Sequence, residues 1–188
     1  MKTCLCVLFL AAVAAAQQSA SSSNPVTEVV RNQLQQRSKL LTAAAEQMPA
    51  DQYGYKPTPQ QESFGHVVMH IAQSNNFLCG KLAGQPAPEL KLNDSDPKDK
   101  LIAEMKNSFS YCQGVLDKLQ DAQLGEPVTL FGGRQSTKAG ALIGLSDDLY
   151  DHYAGMAMYL RLKGMLPPSA QPRRAEGSPA AKDASKKE

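Results

Sequence analysis

SFGHVVMHIAQSNNFLCGKLAG, residues 63–84, carries the clearest helical pattern of the chain. Its large apolar side chains recur at intervals of three, four and seven residues, which places them on one face of an α-helix. These residues are Phe64, Val67, Ile71, Leu78 and Leu82. Ser63 is a favoured N-cap residue and Gly84 a favoured helix end. The sequence therefore predicts an amphipathic helix over about residues 63–83.

Three further segments show the same periodicity, over about residues 25–48, 96–121 and 137–164. The apolar stripe of the first of them begins at Val26. No segment shows the strict alternation of a convincing strand. Because each of the four helices has one apolar face, the natural way to bury these faces is an all-α four-helix bundle.

The connection between the second and third helices bears on the topology. Its residues, about 84–95, reach roughly 40 Å when extended. A helix of 21 residues is only about 32 Å long. The connection can therefore run the length of the bundle, so the second and third helices can lie parallel in an up-down-down-up order. The other two connections contain the turn-forming residues 57–59 (Pro-Thr-Pro) and 131–133 (Phe-Gly-Gly).

The two ends of the chain differ from the body, residues 25–168. Residues 1–16 predict a secretory signal peptide, because Lys2 precedes an apolar run and small residues up to Ala16 suit cleavage. The run of about 13 residues is shorter than the roughly 20 that span a bilayer. We therefore expect export to the periplasm or the extracellular space and no transmembrane span. Residues 17–24 are a Ser-rich linker, and residues 169–188 predict a disordered, weakly basic tail.

Charge and motifs exclude several classes of function. The chain has 20 Lys and Arg against 18 Asp and Glu, a net charge of +2. Lys2 and the C-terminal tail supply this excess, so the body is nearly neutral and offers no basic surface for nucleic acid. The sequence also lacks a dinucleotide fingerprint, a P-loop, and the HExxH and CxxC motifs.

Three ionisable residues fall on predicted buried stripes. His70 lies next to Ile71 in the second helix, and Asp148 and His152 lie one turn apart in the fourth. A carboxylate and an imidazole one turn apart, facing a third ligand from another helix, can hold a divalent metal. The alternative is a helix-surface pair of Asp148 with His152, and a core histidine at position 70 that is satisfied by hydrogen bonds.

Three stretches resemble the DinB-like proteins. They are residues 63–84, YGYKPTPQQESFG at 53–65 and LYDHYAGMAMYLRLKGMLPP at 149–168, and the similarity extends over about residues 25–168. The resemblance implies an up-down-down-up four-helix bundle in which three histidines hold a divalent metal. His70 and His152 match two of these histidines, and Asp148 stands where the family has the third. His66, one turn before His70, is either an additional ligand or a surface residue.

Two imidazoles and one carboxylate suit Zn, Ni, Fe or Mn. A metal with an open coordination position lowers the pKa of bound water or of a thiol. The resemblance therefore implies a metal-dependent transferase or hydrolase that acts on a small-molecule substrate; DinB-like enzymes use thiols such as bacillithiol or mycothiol. The alternative is a non-catalytic binding or structural bundle that has lost the metal site.

The sequence identifies no catalytic residue. Tyr150, Tyr153 and Arg161 are near enough to orient a substrate, although Tyr153 also suits the core and Arg161 an ordinary ion pair. The oligomeric state is open, and a homodimer is compatible with the sequence.

Cys79 and Cys112 are the two cysteines outside the predicted signal peptide. An even number of cysteines in an exported protein favours a disulfide. Each lies about 16 residues into its helix, so the two share a level if the second and third helices are parallel. The alternative is a pair of buried free cysteines that pack as small apolar residues.

Overall fold

The structure is a computed structural model that describes residues 23–172. Within this range it contains the four α-helices that the sequence predicts. They are α1 (Pro25–Gln47), α2 (Phe64–Ala83), α3 (Lys98–Leu116) and α4 (Lys138–Leu162). The hydroxyl of Ser63 accepts a hydrogen bond from the N–H of His66 and caps α2, and Gly84 ends this helix with a φ of 65°. Both boundaries of α2 are therefore set by local signals in the sequence.

The neighbours of α2 show its direction relative to α3 and α4. Asn75 donates a hydrogen bond to Ser108, and Cys79 is bonded to Cys112 one turn further along both helices. Helices α2 and α3 are therefore parallel. The hydroxyl of Tyr159, near the end of α4, donates to the carbonyl of Glu62, just before α2, so α2 and α4 are antiparallel.

The neighbours of α1 complete the topology. Ser146, in the first half of α4, donates to Gln33 in the first half of α1, so these two helices are parallel. Lys106 in α3 pairs with Glu46 at the end of α1, whereas Arg31 near its start pairs with Asp117 just after α3. Helices α1 and α3 are thus antiparallel. The predicted up-down-down-up bundle is confirmed.

The apolar faces of the four helices form one core. Its fully buried members come from every helix: Leu34, Leu41, Ile71, Leu101, Leu142 and Leu149. The prediction for Val26 is wrong, because 47% of this residue is exposed. Thr27 takes the inward position instead, since its hydroxyl and N–H both donate to the carboxylate of Asp121.

The connection between α2 and α3 runs back along α2. The carbonyl of Pro88 accepts a hydrogen bond from Asn76, and a Cβ placed on Gly80 would lie 3.1 Å from the backbone of Ala87. Further along, a Cβ on Gly65 would lie 2.9 Å from the carbonyl of Asp94. Two glycines in α2 thus admit the connection against the helix backbone, which allows α3 to start at the same end as α2.

Two expectations about the third connection are wrong. Helix α3 ends at Leu116 rather than near residue 121, because the chain turns to bring Asp121 onto the first N–H groups of α1. In addition, residues 127–129 and 135–137 form the strands β1 and β2 of an antiparallel hairpin. Strands of three residues are too short to show alternation in the sequence. The hairpin turns at Gly132 and Gly133, both with positive φ.

A disulfide joins Cys79 of α2 to Cys112 of α3, with the two Cα atoms 5.3 Å apart. Both residues are fully buried. The bond therefore ties together the two parallel neighbours that the long connection separates in sequence.

The ends of the chain fall partly outside the described residues. The predicted signal peptide, most of the linker and residues 173–188 are not among them. The expectation of disorder does not hold for the start of the tail: residues 168–170 form a 3₁₀ turn, and the N–H of Ser169 donates to the Tyr153 hydroxyl. Among residues 23–172, no helix combines the length and apolar character that crossing a membrane requires.

Candidate metal centre

The antiparallel packing of α2 and α4 brings His70, Asp148 and His152 together. One nitrogen or oxygen atom of each side chain lies within 4.8 Å of the corresponding atoms of the other two. Asp148 and His152 are one helical turn apart, and Nε2 of His152 lies 3.2 Å from Oδ1 of Asp148. The rings of His70 and His152 meet edge to face with centroids 5.1 Å apart. Two turns of α4 and one of α2 therefore supply the whole group.

The three side chains differ in exposure. The side chains of Asp148 and His152 are 23% and 15% exposed, whereas His70 is exposed. The expectation that His70 points into the core is therefore wrong. Ile71 takes the inward position, and His70, 100° around the helix, lies on the flank that faces α4. The group consequently has a buried side on α4 and an open side at His70.

Two buried polar atoms of the group, Oδ2 of Asp148 and Nε2 of His152, make no hydrogen bond of good geometry among the described residues. Nε2 of His152 has only its ion-pair contact of 3.2 Å with Oδ1 of Asp148. Buried polar atoms without partners are rare and costly, and each such atom calls for an explanation. Here both belong to side chains that bind metal ions and both lie at the same place.

The electrostatics favour the forms of these side chains that bind metal. Burial raises the pKa of Asp148, but His152, Ser74 and the charge of His70 together outweigh it, and the pKa lies below its usual value. Partial desolvation of the His70 ring where it faces α4 and the neighbouring His152 lower the pKa of His70, against the opposing effect of Asp148. An ionised carboxylate and a neutral imidazole are the forms that coordinate a metal.

The residues fit a divalent cation. Ligand atoms about 2.1 Å from one ion are separated by at most about 4.2 Å. The observed limit of 4.8 Å is within reach of small side-chain rotations. A cation at this point would also satisfy the two buried atoms that make no well-formed hydrogen bond. Three protein ligands leave coordination positions free, which is the arrangement of catalytic rather than structural sites.

His66 lies outside this group. Its ring is parallel to that of His70 at a centroid distance of 6.4 Å. Its Nδ1 instead lies 3.6 Å from a carboxylate oxygen of both Glu62 and Asp94. Sequence reasoning missed these two partners. The contact with Glu62 could have been predicted, because Glu62 is one helical turn before His66. Asp94 lies on the long connection, whose path no local pattern reveals.

The other residues singled out in α4 face away from the group. Tyr153 is buried in the core, as one of the two alternatives predicted. Arg161 is exposed, and its guanidinium donates a hydrogen bond to the carbonyl of Ala157 in its own helix. Tyr150 packs against Arg37 of α1, whose guanidinium carbon is 3.7 Å from the ring centroid.

Sequence reasoning also missed Ser74, which is buried beside Asp148. The signal for it was present, because Ser74 is one turn after His70 on the same flank of α2.

Phe77, two turns after His70, stacks on Phe131 of the hairpin at a centroid distance of 3.7 Å. This contact brings the hairpin to the flank that carries His70.

Comparison with known proteins identifies the family. The sequence profile of the DinB superfamily matches residues 33–156. No protein of curated function matches the sequence. A DinB-like protein from Bacillus subtilis has a similar structure, with a TM-score of 0.62 at 20% identity, over 78% of this chain and 99% of its own.

Two further structures have the same fold. A DinB-like protein from Bacillus cereus ATCC 10987 has a TM-score of 0.64 at 14% identity, over 75% of this chain and 95% of its own. A mycothiol-dependent maleylpyruvate isomerase has a TM-score of 0.58 at 12% identity, over 69% of this chain and 60% of its own. At these identities the likeness concerns the fold alone. Since the profile covers more than half of the chain and the bundle is shared, this protein belongs to the DinB superfamily.

Proposed function

We propose that the protein binds one divalent metal ion through His70, Asp148 and His152 and presents it to a small-molecule substrate. The observation that supports this most strongly is the convergence of the three side chains, which leaves two buried polar atoms without a well-formed hydrogen bond among the described residues. Asp148 stands where the family pattern has a histidine. This difference is compatible with the proposal, because a carboxylate is itself a metal ligand.

Each side chain contributes differently to the proposed site. The carboxylate of Asp148 supplies the negative charge that offsets a divalent ion in a half-buried position. His152, the least exposed of the three, holds the ion from the core side. His70 lies at the open edge, so we infer that a substrate approaches from that side. Two nitrogens and one oxygen suit Zn, Ni, Fe or Mn.

When bound, such a metal acts as a Lewis acid and lowers the pKa of coordinated water or of a thiol. We propose that the protein uses this property in a transferase or hydrolase reaction. The fold is shared with a mycothiol-dependent maleylpyruvate isomerase; thiols of that kind belong to the cytoplasm, so an exported protein would act on a different small molecule. The protein's own residues would position the substrate and keep the Asp148 carboxylate ionised.

Isothermal titration of the metal-free protein with Zn²⁺ and with Mn²⁺ tests the proposal. Wild type should bind one equivalent of at least one of these ions. Removal of a residue that only hydrogen-bonds a metal ligand typically costs 10- to 100-fold in metal affinity. Asp148 is itself a proposed ligand, so Asp148→Ala should lose about 100-fold or more. His66→Ala is the matched control and should bind normally, since His66 is outside the group. Equal binding by wild type and Asp148→Ala would instead support a bundle that has lost the family site.

We also propose that the protein is exported through the signal peptide predicted at residues 1–16. The disulfide between Cys79 and Cys112 supports this proposal, because such bonds persist in oxidising compartments. The intact mass of the protein from its native host should correspond to a chain that begins near Gln17 and has lost two hydrogens from its cysteines. A chain that retains residues 1–16, or one with free thiols, would contradict export.

A further inference from the structure

A second cleft lies at the other end of α2, where this helix meets α3. It has a volume of about 590 Å³ and shares no lining residue with the candidate metal centre. It opens between the chain just after α2, one flank of α3 and the start of α4. Its volume is within the range of pockets that bind small organic molecules, about 300 to 1,000 Å³.

The floor of the cleft is apolar. Leu82, Val115 and Leu119 line it, and Leu82 and Leu119 are buried. Gly114 of α3 also lines it, and a Cβ at this position would meet no atom within 4 Å. Gly114 lies in the last turn of α3, and the absence of a side chain there leaves open a space that a larger residue would fill.

All the charged residues of the lining are positive. They are Lys118 and Lys138, and no described carboxylate lines the cleft. Lys138 is buried and paired with Glu126, with 2.8 Å between the ammonium nitrogen and the carboxylate, so its charge is already balanced. Lys118 is exposed and has no acidic partner among the described residues. Ser110 and Tyr111 add two hydroxyl groups, and burial raises the pKa of Tyr111 and keeps it a proton donor.

We propose that this cleft binds a free medium-chain carboxylate. The alkyl chain packs on Leu82, Val115 and Leu119, and the carboxylate binds the ammonium group of Lys118. The unpaired charge of Lys118 selects an anion, and the apolar floor selects a molecule with a long hydrocarbon part. The site is separate from the metal centre and does not depend on a metal being bound.

Titration of the full-length protein with decanoate, monitored by calorimetry and by NMR, tests this proposal. Decanoate should bind with one site per chain. Decyltrimethylammonium, which has the same chain length and the opposite charge, should bind at least about tenfold more weakly, because it is repelled by the Lys118 ammonium group and cannot accept a hydrogen bond from it. Equal affinity for the two amphiphiles, or no binding of decanoate, would overturn the proposal.

Two variants locate the site. Gly114→Leu should fill the cleft and reduce decanoate affinity at least about tenfold, and Lys118→Glu should do the same through its charge. Lys91→Glu, an exposed lysine on the long connection, is the matched control and should bind normally. If Gly114→Leu fails to fold, Ser110→Leu blocks the same cleft from an exposed helix position. Unchanged affinity in the blocking variants, or binding to anionic vesicles that depends on Lys118, would overturn the assignment of a free carboxylate.

Discussion

Loss of the disulfide between Cys79 and Cys112 should destabilise the protein by an amount that the structure sets. The two cysteines are 33 residues apart. A cross-link that closes a loop of this length lowers the entropy of the unfolded chain by about 12.5 cal/mol/K, which corresponds to ~3.7 kcal/mol at 25 °C. With an unfolding entropy of about 2.1 cal/mol/K per residue over ~150 residues, the melting temperature should fall by about 12 °C.

The measurement compares oxidised protein with protein that is unfolded, reduced and refolded in the presence of a reductant. This design keeps both sulfur atoms in the core, so the difference reports the cross-link and not a cavity. Cys4 and Cys6 are replaced by serine in every sample. Urea unfolding followed by circular dichroism gives the free energies by linear extrapolation. A Cys79→Ala/Cys112→Ala variant is the control, and its stability should not respond to the reductant. A difference between oxidised and reduced protein below about 1 kcal/mol would refute the loop-closure reasoning.

Two further predictions concern the connections. Gly65→Ala should destabilise the protein by about 1–3 kcal/mol, because its new Cβ meets the carbonyl of Asp94. The control is Gly155→Ala, whose Cβ meets nothing within 4 Å and which should stabilise the protein by about 0.5–1 kcal/mol in a urea titration. Similar effects at both glycines would contradict the close approach of the connection to α2. Burial raises the pKa of Asp121, but hydrogen bonds from Thr27 and Val26 outweigh it and lower the pKa below 3.8. The ionised Asp121 therefore stabilises the fold fully above pH 3.8, and this stabilisation is lost as the pH falls through the folded-state pKa. Between about pH 5 and pH 2 the urea midpoint of Asp121→Asn should accordingly fall less than that of wild type. Parallel curves for the two proteins would contradict this role.

The four helices were predictable because each carries a 3.6-residue apolar repeat over five or more turns. The cap at Ser63 and the stop at Gly84 are equally local, and the structure has both. The hairpin at residues 127–137 was not predictable, because strands of three residues are too short to show a period of two. The end of α3 was missed for a different reason, since Asp121 leaves the helix to cap α1, a contact 94 residues away in sequence.

The candidate site was likewise predictable only in part from local sequence patterns. The spacing of Asp148 and His152 placed them one turn apart, and the resemblance to the DinB-like proteins supplied His70 as their partner across two helices. Helical periodicity alone misplaced His70, because a residue beside a buried isoleucine lies on the flank and not in the core. The pairing of His66 with Asp94 depends on the path of the long connection along α2. That path is set by two glycines far apart in the helix, which no short sequence pattern encodes.

Anomalous diffraction from crystals of the protein soaked with Zn²⁺ tests the central claim most directly. We predict one anomalous peak, about 2.0–2.2 Å from a nitrogen of His70, a nitrogen of His152 and a carboxylate oxygen of Asp148. The peak should disappear in His152→Ala crystals and persist in those of His66→Ala. A peak between His66, Glu62 and Asp94 instead would contradict the assignment of the metal to His70, Asp148 and His152. So would the absence of any peak after a soak at a saturating Zn²⁺ concentration.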